Sequence, residues 1–251
     1  MINVQQSTNG ITQVTINNPD RRNALNLEMF QQLSILWPEL DRDPAVRVVL
    51  LTAVGNQSFC VGADLSEALH KLPGIDKKID QALLKTGFFS KPIVAAVNGD
   101  CIAGGLELLL AADIRIVNIT AKIGFPEVRW GIVPSGGGAM KLGEQIGHAF
   151  AMDLLLTGRL ISGAEAEKIG LITQAVASED VMIIARQRAE MIAANSHIAI
   201  AATKRSALSW RAETYAHRET TELHLVKQVR ESGHQDIGIA AFLAKCPPHY
   251  P

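Results

Sequence analysis

The chain has 251 residues, of which 47% are hydrophobic and 20% charged, and its net charge is −1 at pH 7. This composition predicts a globular protein with a sizeable core, and the balanced charge argues against nucleic acid or a membrane surface as a partner. Three cysteines without metal-ligand spacing predict reduced thiols and no structural metal. Because the N-terminus does not resemble a secretory signal and no apolar run reaches membrane-spanning length, we expect a cytoplasmic protein.

Strands and helices alternate through the first two thirds of the chain. Alternating apolar and polar residues predict a β-hairpin over 2–17. A helix is expected from Leu27 to Asp41, kinked or interrupted near Trp37 because Pro38 lies inside it. The remaining elements are expected as strands at 46–52, 92–97, 113–117, 121–125 and 171–176, a mobile loop at 66–78, and helices at 79–90, 104–112, 147–156, 163–169, 181–195, 199–210, 215–229 and 237–245.

The last third of the chain has helical periodicity only. We therefore expect an α/β core over residues 1–190 and a helical C-terminal region over 191–251. These C-terminal helices are short, so they need another surface to bury against, and a separately folded second domain is not expected. The strand–loop–helix unit recurs near Val48, Ile93 and Ile172, which predicts a spiral of similar units.

One buried carboxylate stands out. Gly104 and Gly105 open a run that is apolar up to Ala112 except for Glu107, and a helix that is apolar on every face is buried. No basic residue lies one turn away, and an unpaired ionised carboxylate is costly in such a place. Such groups occur where a reaction needs a carboxylate with a shifted pKa. The alternative is a structural glutamate that pairs with a distant arginine or caps a backbone group.

Two strand-to-helix connections share one design, VVLLTAVGNQSFCVGADL and IVAAVNGDCIAGGLEL. Each leads to a glycine-containing helix start, so the amides of Ala63 and Gly104 are candidate donors to one oxyanion. The alternative is that these glycines only permit close packing. Glu127, in the sequence FPEV, is a second candidate, because two carboxylates around one water can act as acid and base. Taken alone, Glu127 is better explained as a surface residue facing Arg129 or solvent.

Five motifs, in order, resemble the enoyl-CoA hydratase/isomerase (crotonase) family: NNPDRRNALN, SFCVGADLSE, VNGDCIAGGLELLLAADIRI, FPEVRWGIVPSGGG and LTGRLISGAEAEKIGLI. The resemblance spans about residues 10–180. It implies an α/β fold in which ββα units form a spiral, followed by helices that complete the site and build trimers, often paired as hexamers. It also implies an acyl-CoA substrate from fatty acid metabolism and no cofactor besides the CoA of that substrate.

The resemblance assigns roles to individual residues. The amides of Ala63 and Gly104 match the oxyanion hole that holds the thioester oxygen, and Glu107 and Glu127 match the two glutamates that activate water and supply the α-proton. The family's CoA-binding positions fall on Arg22, Ala24, Asp64 and Leu65. Trp130 either narrows the acyl pocket or belongs to the core, and Arg22 is either a phosphate partner or a solvated side chain.

The expected reaction is the reversible syn addition of water to a trans-2-enoyl-CoA, because isomerases of the family commonly lack a glutamate at the position of Glu107. The alternatives are another reaction of the family on an acyl-CoA (dehydration, isomerisation or thioester hydrolysis) and a non-catalytic acyl-CoA- or RNA-binding homologue. Ala103, Asp100 and Cys101 depart from the residues usual in hydratases, which leaves the acyl group open.

Overall fold

The computed structural model describes the backbone of residues 1–251 and every side chain except those at positions 212, 213 and 216. The strands are β1 (Ile2–Gln6), β2 (Ile11–Ile16), β3 (Val48–Ala53), β4 (Ser58–Cys60), β5 (Ile93–Val97), β6 (Asp100–Ile102), β7 (Ile114–Asn118), β8 (Lys122–Gly124), β9 (Ile161–Ser162) and β10 (Gln174–Val176). The helices are α1 (Leu27–Arg42), α2 (Ile75–Ala82), α3 (Gly104–Leu109), α4 (Gly138–Ile146), α5 (His148–Thr157), α6 (Gly163–Lys168), α7 (Val181–Ala193), α8 (His197–Glu231) and α9 (His234–Leu243). Two short 3₁₀ helices, Leu65–Glu67 and Pro126–Trp130, lie near the candidate site.

The strands form two sheets. The larger has the order β1-β2-β3-β5-β7-β10; β1 and β2 form the predicted antiparallel hairpin, and the other neighbours run parallel. The smaller has the order β4-β6-β8-β9, with β9 antiparallel to β8. Each long parallel strand β3, β5 and β7 is followed by a short strand of the second sheet and then by a helix. This is the predicted spiral of ββα units.

Strand β3 is buried on both faces and separates two parts of the core. Val49 and Leu51 belong to the larger cluster, which also includes residues of α1, α3 and α5. Val48 and Leu50 point the other way, toward α7. The face of α7 that covers them carries a buried residue every fourth position: Val181, Ala185, Ala189 and Ala193. A parallel sheet covered on both faces accounts for the continuous apolar runs of its strands.

Several predicted boundaries are wrong. Helix α1 continues without interruption through Pro38, and its start is fixed by Asn26, whose side chain accepts a hydrogen bond from the Met29 amide at 2.9 Å. The helix expected at 79–90 is α2, which ends at Ala82, and part of the expected loop at 66–78 is helical. The two helices expected at 199–210 and 215–229 are one 35-residue helix, α8. Strands β4, β6 and β9 were not predicted, because two or three residues are too few to show periodicity.

Helix α8 is held to the core by ion pairs along its length. Arg230 donates two hydrogen bonds to Asp76 of α2, at 2.7 and 2.9 Å, and Lys204 lies 2.7 Å from Asp113. The predicted division between residues 190 and 191 falls within α7, and that division stays a prediction. Among the described residues, no helix is long and apolar enough to cross a membrane.

Candidate active site

The two predicted oxyanion segments lie side by side. β4 and β6 are parallel neighbours, with Cys60 opposite Cys101, so the residues that follow each strand emerge at the same edge. A Cβ added to Gly62 would lie 2.8 Å from the Ala103 Cβ and 3.2 Å from the Gly104 nitrogen, and Gly62 has a φ of +97°. Glycine is therefore required at position 62, both for its backbone conformation and for this close approach.

The amides of Ala63 and Gly104 are brought together at this edge. The Ala63 nitrogen lies 3.8 Å from the point where a Gly104 Cβ would stand. Neither amide donates a hydrogen bond to any residue whose position the structure describes. Gly104 is the first residue of α3, where the amide has no partner within the helix. Two adjacent unengaged donors have the arrangement needed to bind one developing oxyanion.

Ala103 has an unusual backbone conformation between these segments. Its φ is 54° and its ψ is −127°, a region that disfavours any residue with a Cβ. Two backbone hydrogen bonds hold it there: its amide donates to the Gly124 carbonyl and its carbonyl accepts from the Glu107 amide, both at 3.0 Å. The strain is located at the residue that orients the start of α3.

Glu107 is buried on α3, with 5% of its surface exposed. Its Oε1 accepts a hydrogen bond from the Gly138 amide at 3.0 Å. Burial raises the pKa of Glu107 from its ordinary value of 4.5 to about 7; the Gly138 hydrogen bond opposes this rise, and the negative charge of Glu222 adds to it. A carboxyl group with a pKa near neutrality can both take and give a proton.

Glu127 is buried on the 3₁₀ helix Pro126–Trp130, with 7% exposed. Its Oε2 has no hydrogen-bond partner among the described residues, so it has acceptor capacity for a ligand. Burial raises the pKa of Glu127 well above its ordinary value, and the charge of Glu107 raises it further. The two predicted carboxylates therefore lie close enough to interact, and their repulsion favours a shared proton.

The segment predicted to bind CoA is fastened to the oxyanion loop. Leu25 donates to the Gly62 carbonyl at 2.7 Å, and Asp64 donates back to the Leu25 carbonyl at 2.8 Å. The buried Ala24 and the half-buried Leu65 flank this bridge. The Asp64 carboxylate accepts from the Ser66 amide and hydroxyl at 3.0 and 2.6 Å, so its side chain stabilises the turn.

Arg22 lies beside Asp100 of β6, and Trp130 lies beside α9. The Arg22 guanidinium is 2.6 Å from the Asp100 carboxylate. The Trp130 ring packs edge-on against Phe242, with 5.1 Å between ring centroids. Trp130 was expected either to narrow the acyl pocket or to belong to the core, and the contact observed is packing against helix α9.

Sequence reasoning missed three residues near Glu107. They are Gly138, which donates to it, and two charged residues whose fields reach it, Lys141 and Glu222. The motif FPEVRWGIVPSGGG ends at Gly138, but it was used only to identify the family, and no role was assigned to Gly138. No signal was available for the charged residues, since contacts so distant in the chain leave no local pattern.

Comparisons with known proteins agree with this geometry. The sequence model of a family described as enoyl-CoA hydratase/isomerase matches residues 6–251. The chain belongs to the enoyl-CoA hydratase/isomerase family. It is 43% identical over 201 residues to the enoyl-CoA hydratase EchA19 of Mycobacterium tuberculosis, covering 77% of this chain and 75% of that relative. It is 34% identical over 197 residues to the short-chain-enoyl-CoA hydratase of Clostridium acetobutylicum, covering 77% and 76%.

The fold of the chain also matches that of a solved structure. The crystal structure of carnitinyl-CoA hydratase from Mycobacterium avium superimposes with a TM-score of 0.92 at 30% identity, covering 99% of this chain and 97% of that one. The predicted family and the crotonase-like fold are therefore confirmed. The roles of the individual residues stay predictions. No group of three or more His, Cys, Asp or Glu residues that could hold a metal occurs in the described part of this family member.

Proposed function

We propose that the protein is an enoyl-CoA hydratase, which adds water reversibly and syn to a trans-2-enoyl-CoA to give a 3-hydroxyacyl-CoA. The observation that carries this proposal is the pair of buried, electrostatically coupled carboxyl groups, Glu107 and Glu127, beside two unengaged amides. This activity is the one expected from the sequence, and the relatives named as enoyl-CoA hydratases bear that expectation out.

In the proposed reaction the thioester oxygen accepts hydrogen bonds from the amides of Ala63 and Gly104. As water adds to the β-carbon, negative charge develops on that oxygen, and each donor of this kind contributes roughly 3 kcal/mol to stabilising the transition state. One glutamate takes a proton from the water and the other delivers a proton to the α-carbon, so water adds across one face of the double bond. No cofactor takes part, since CoA belongs to the substrate.

The raised pKa values suit this division of work. A pair of carboxyl groups that together keep one proton near neutral pH supplies an acid and a base at the same time. Burial supplies most of the rise for both residues, because the low-dielectric surroundings disfavour their charged forms.

Hydration of crotonyl-CoA tests the proposal. Loss of the absorbance of the conjugated thioester is followed for the wild type, Glu107→Gln and Glu127→Gln. Each variant is expected to lose at least a hundredfold in kcat, since each removes an acid or base. Glu190→Gln, at an exposed position on α7, serves as the matched control and is expected to keep the wild-type rate.

The proposal is wrong if the wild type is inactive on a panel of enoyl-CoAs of different chain length, or if both active-site variants keep full rate. Incubation with 3-enoyl-CoAs in the same assay tests double-bond isomerisation as the competing reaction of the family.

The remaining expectations also stand as proposals. We propose a trimer or a pair of trimers, supported by large exposed apolar side chains on the C-terminal helices, including Ile198, Trp210 and Leu243; sedimentation that shows only a monomer contradicts it. The free thiols of the three cysteines support a cytoplasmic location. A place in fatty acid β-oxidation follows from the product, a 3-hydroxyacyl-CoA, and rests on the hydratase activity.

A further inference from the structure

The segment 134–138 lies directly against the carboxylate of Glu107. The Gly138 amide donates to Glu107 Oε1 at 3.0 Å. A Cβ added to Gly136 would overlap Glu107 Oε2 and the Leu83 side chain. The position of this glycine-rich segment therefore determines the orientation of the carboxylate that we propose takes part in catalysis.

Two buried lysines lie beside the same segment. A Cβ added to Gly137 would lie 3.3 Å from Lys141 Cε and 3.5 Å from Lys85 Cγ. Lys141 and Lys85 are 4% and 2% exposed. The ammonium group of Lys141 donates to the Leu84 carbonyl at 2.6 Å. The glycine segment is thus flanked by Glu107 and by two buried lysine side chains.

Helix α8 supplies the negative charges that pair with Lys85. The Lys85 ammonium lies 2.6 Å from a carboxylate oxygen of Glu222 and 3.5 Å from one of Glu219. Glu222 is 7% exposed, so this is a buried ion pair. A further contact, from Arg218 to the Met140 carbonyl at 3.2 Å, ties the same turn of α8 to α4, the helix that begins at Gly138.

A buried ion pair is a poor way to gain stability. The desolvation of both charges offsets most of their attraction, and an apolar pair of similar size often stabilises as well or better. Removing one partner alone leaves a buried charge without compensation. The pair between Lys85 and Glu222 is better explained by what it positions.

We propose that Glu222 is a positioning residue of the active site: through its ion pair with Lys85, it holds segment 134–138 against Glu107 and so sets the orientation of that carboxylate. The charged groups that face Glu107 then come from three elements, with Glu127 on the 3₁₀ helix, Lys141 on α4 and Glu222 on α8. The inference deepens the proposed hydratase function and rests on it for its kinetic readout.

Glu222→Gln tests the proposal. Its kcat is expected to fall about tenfold or more, because Glu107 loses its orientation. KM is expected to stay within about twofold, since the ion pairs of Lys85 and Glu222 involve no residue of the predicted CoA-binding segment. Arg230→Met is the matched control: it removes a different ion pair of α8, to Asp76 of α2, and is expected to keep the wild-type kcat even where it lowers the melting temperature.

A second readout does not depend on activity. The titration of Glu107 is followed by carboxyl carbon NMR of protein labelled in glutamate, with the signal assigned by its loss in Glu107→Gln. The charge of Glu222 raises the pKa of Glu107, so its midpoint is expected to move to lower pH in Glu222→Gln and to stay unchanged in Arg230→Met. This shift reports that the charge of Glu222 acts on Glu107, whereas a fall in kcat at unchanged KM reports the positioning.

With an active wild type, an unchanged kcat in Glu222→Gln overturns the positioning role, whether or not the midpoint of Glu107 moves. An inactive wild type with a shifted midpoint contradicts only the hydratase proposal. Where Glu222→Gln does not fold, the double variant Lys85→Met with Glu222→Leu removes both charges, and a wild-type kcat in that protein also overturns the inference.

Discussion

Arg22 and Asp100 form an ion pair that joins the segment predicted to bind CoA to the strand that leads into the oxyanion site. The guanidinium and the carboxylate are 2.6 Å apart, and Arg22 Nε donates to the Ser58 hydroxyl at 3.3 Å. The other oxygen of Asp100 accepts from the Lys122 amide at 2.9 Å. Asp100 is thereby tied to the neighbouring strand β8, and together with Ser58 of β4 it fixes the direction of Arg22.

This contact gives a role to a residue that sequence reasoning left open. Asp100 departs from the residues usual in the family, and its partner is a residue 78 positions away. About half of the Arg22 side chain, 54%, is exposed, against 18% for Asp100. The carboxylate anchors the arginine, which keeps the solvent-facing surface that the predicted phosphate contact requires.

We predict that Arg22→Met raises KM for an enoyl-CoA about fivefold to tenfold and leaves kcat nearly unchanged. The expected loss corresponds to one charge-assisted hydrogen bond at an exposed site. Steady-state kinetics at two ionic strengths measure it, and the difference from wild type is expected to shrink at high salt because the interaction is screened.

Arg21→Met is the control for the loss of a positive charge in this turn, because Arg21 is exposed and directly precedes Arg22. It is expected to keep the wild-type KM. Equal KM values for all three proteins contradict a phosphate contact at Arg22.

Ala103→Gly is predicted to stabilise the protein by about 1 kcal/mol. Glycine relieves the strained backbone at this position, and that gain exceeds the entropy that glycine loses on folding. Denaturant unfolding gives the free energy of unfolding. Ala202→Gly, in an exposed turn of α8, is expected to destabilise by about 1 kcal/mol; a loss of stability in both variants contradicts strain at Ala103.

Gly136→Ala is predicted to lower kcat about a hundredfold. The new methyl group overlaps Glu107 Oε2 and Leu83, so the carboxylate must shift, and a displacement near 1 Å is enough for this loss. We also expect the free energy of unfolding to fall by about 1–3 kcal/mol.

Gly87→Ala is the matched control, because no atom lies within 4 Å of its added Cβ. Its kcat is expected to equal that of the wild type, and its stability to change by less than about 0.5 kcal/mol. Wild-type kcat in Gly136→Ala is the result that contradicts a close contact with Glu107.

The pKa of Glu107 predicts how stability depends on pH. The folded protein binds a proton at Glu107 up to about pH 7, whereas the unfolded chain releases it near 4.5. The folded state therefore holds more protons between these values, and its stability falls as pH rises through that window. Below about pH 4.5 the contribution is fully present, and above about pH 7 it is lost.

Glu107→Gln removes this group without changing its size. Between pH 5 and pH 8 the wild type is expected to lose on the order of 2–3 kcal/mol of unfolding free energy relative to this variant. Denaturant unfolding at several pH values measures the difference. Parallel curves for the two proteins contradict the raised pKa, and Glu190→Gln, which changes an exposed carboxylate, is expected to run parallel to the wild type.

Local patterns in the sequence determined the class of fold and the candidate residues. Strands β3 and β5 are long enough for their continuous apolar runs to predict buried strands. The apolar residues around Glu107 predict a buried helix, in which an ionised carboxylate is unfavourable. The five sequence motifs identified the family. Helix boundaries failed where a tertiary contact decided them, as in α1, which continues through Pro38 and places Trp37 so that its indole donates to the Ala82 carbonyl at 2.8 Å.

Only the tertiary structure decided which charged groups act on one another. Arg22 with Asp100 and Lys85 with Glu222 are pairs from distant parts of the chain, and no periodicity connects their partners. The sequence by itself determined that Glu107 is buried, because burial follows from the neighbours along its helix. It did not determine the field at Glu107, because electrostatic interactions depend on distances in space and on burial, and both arise only when the chain is folded.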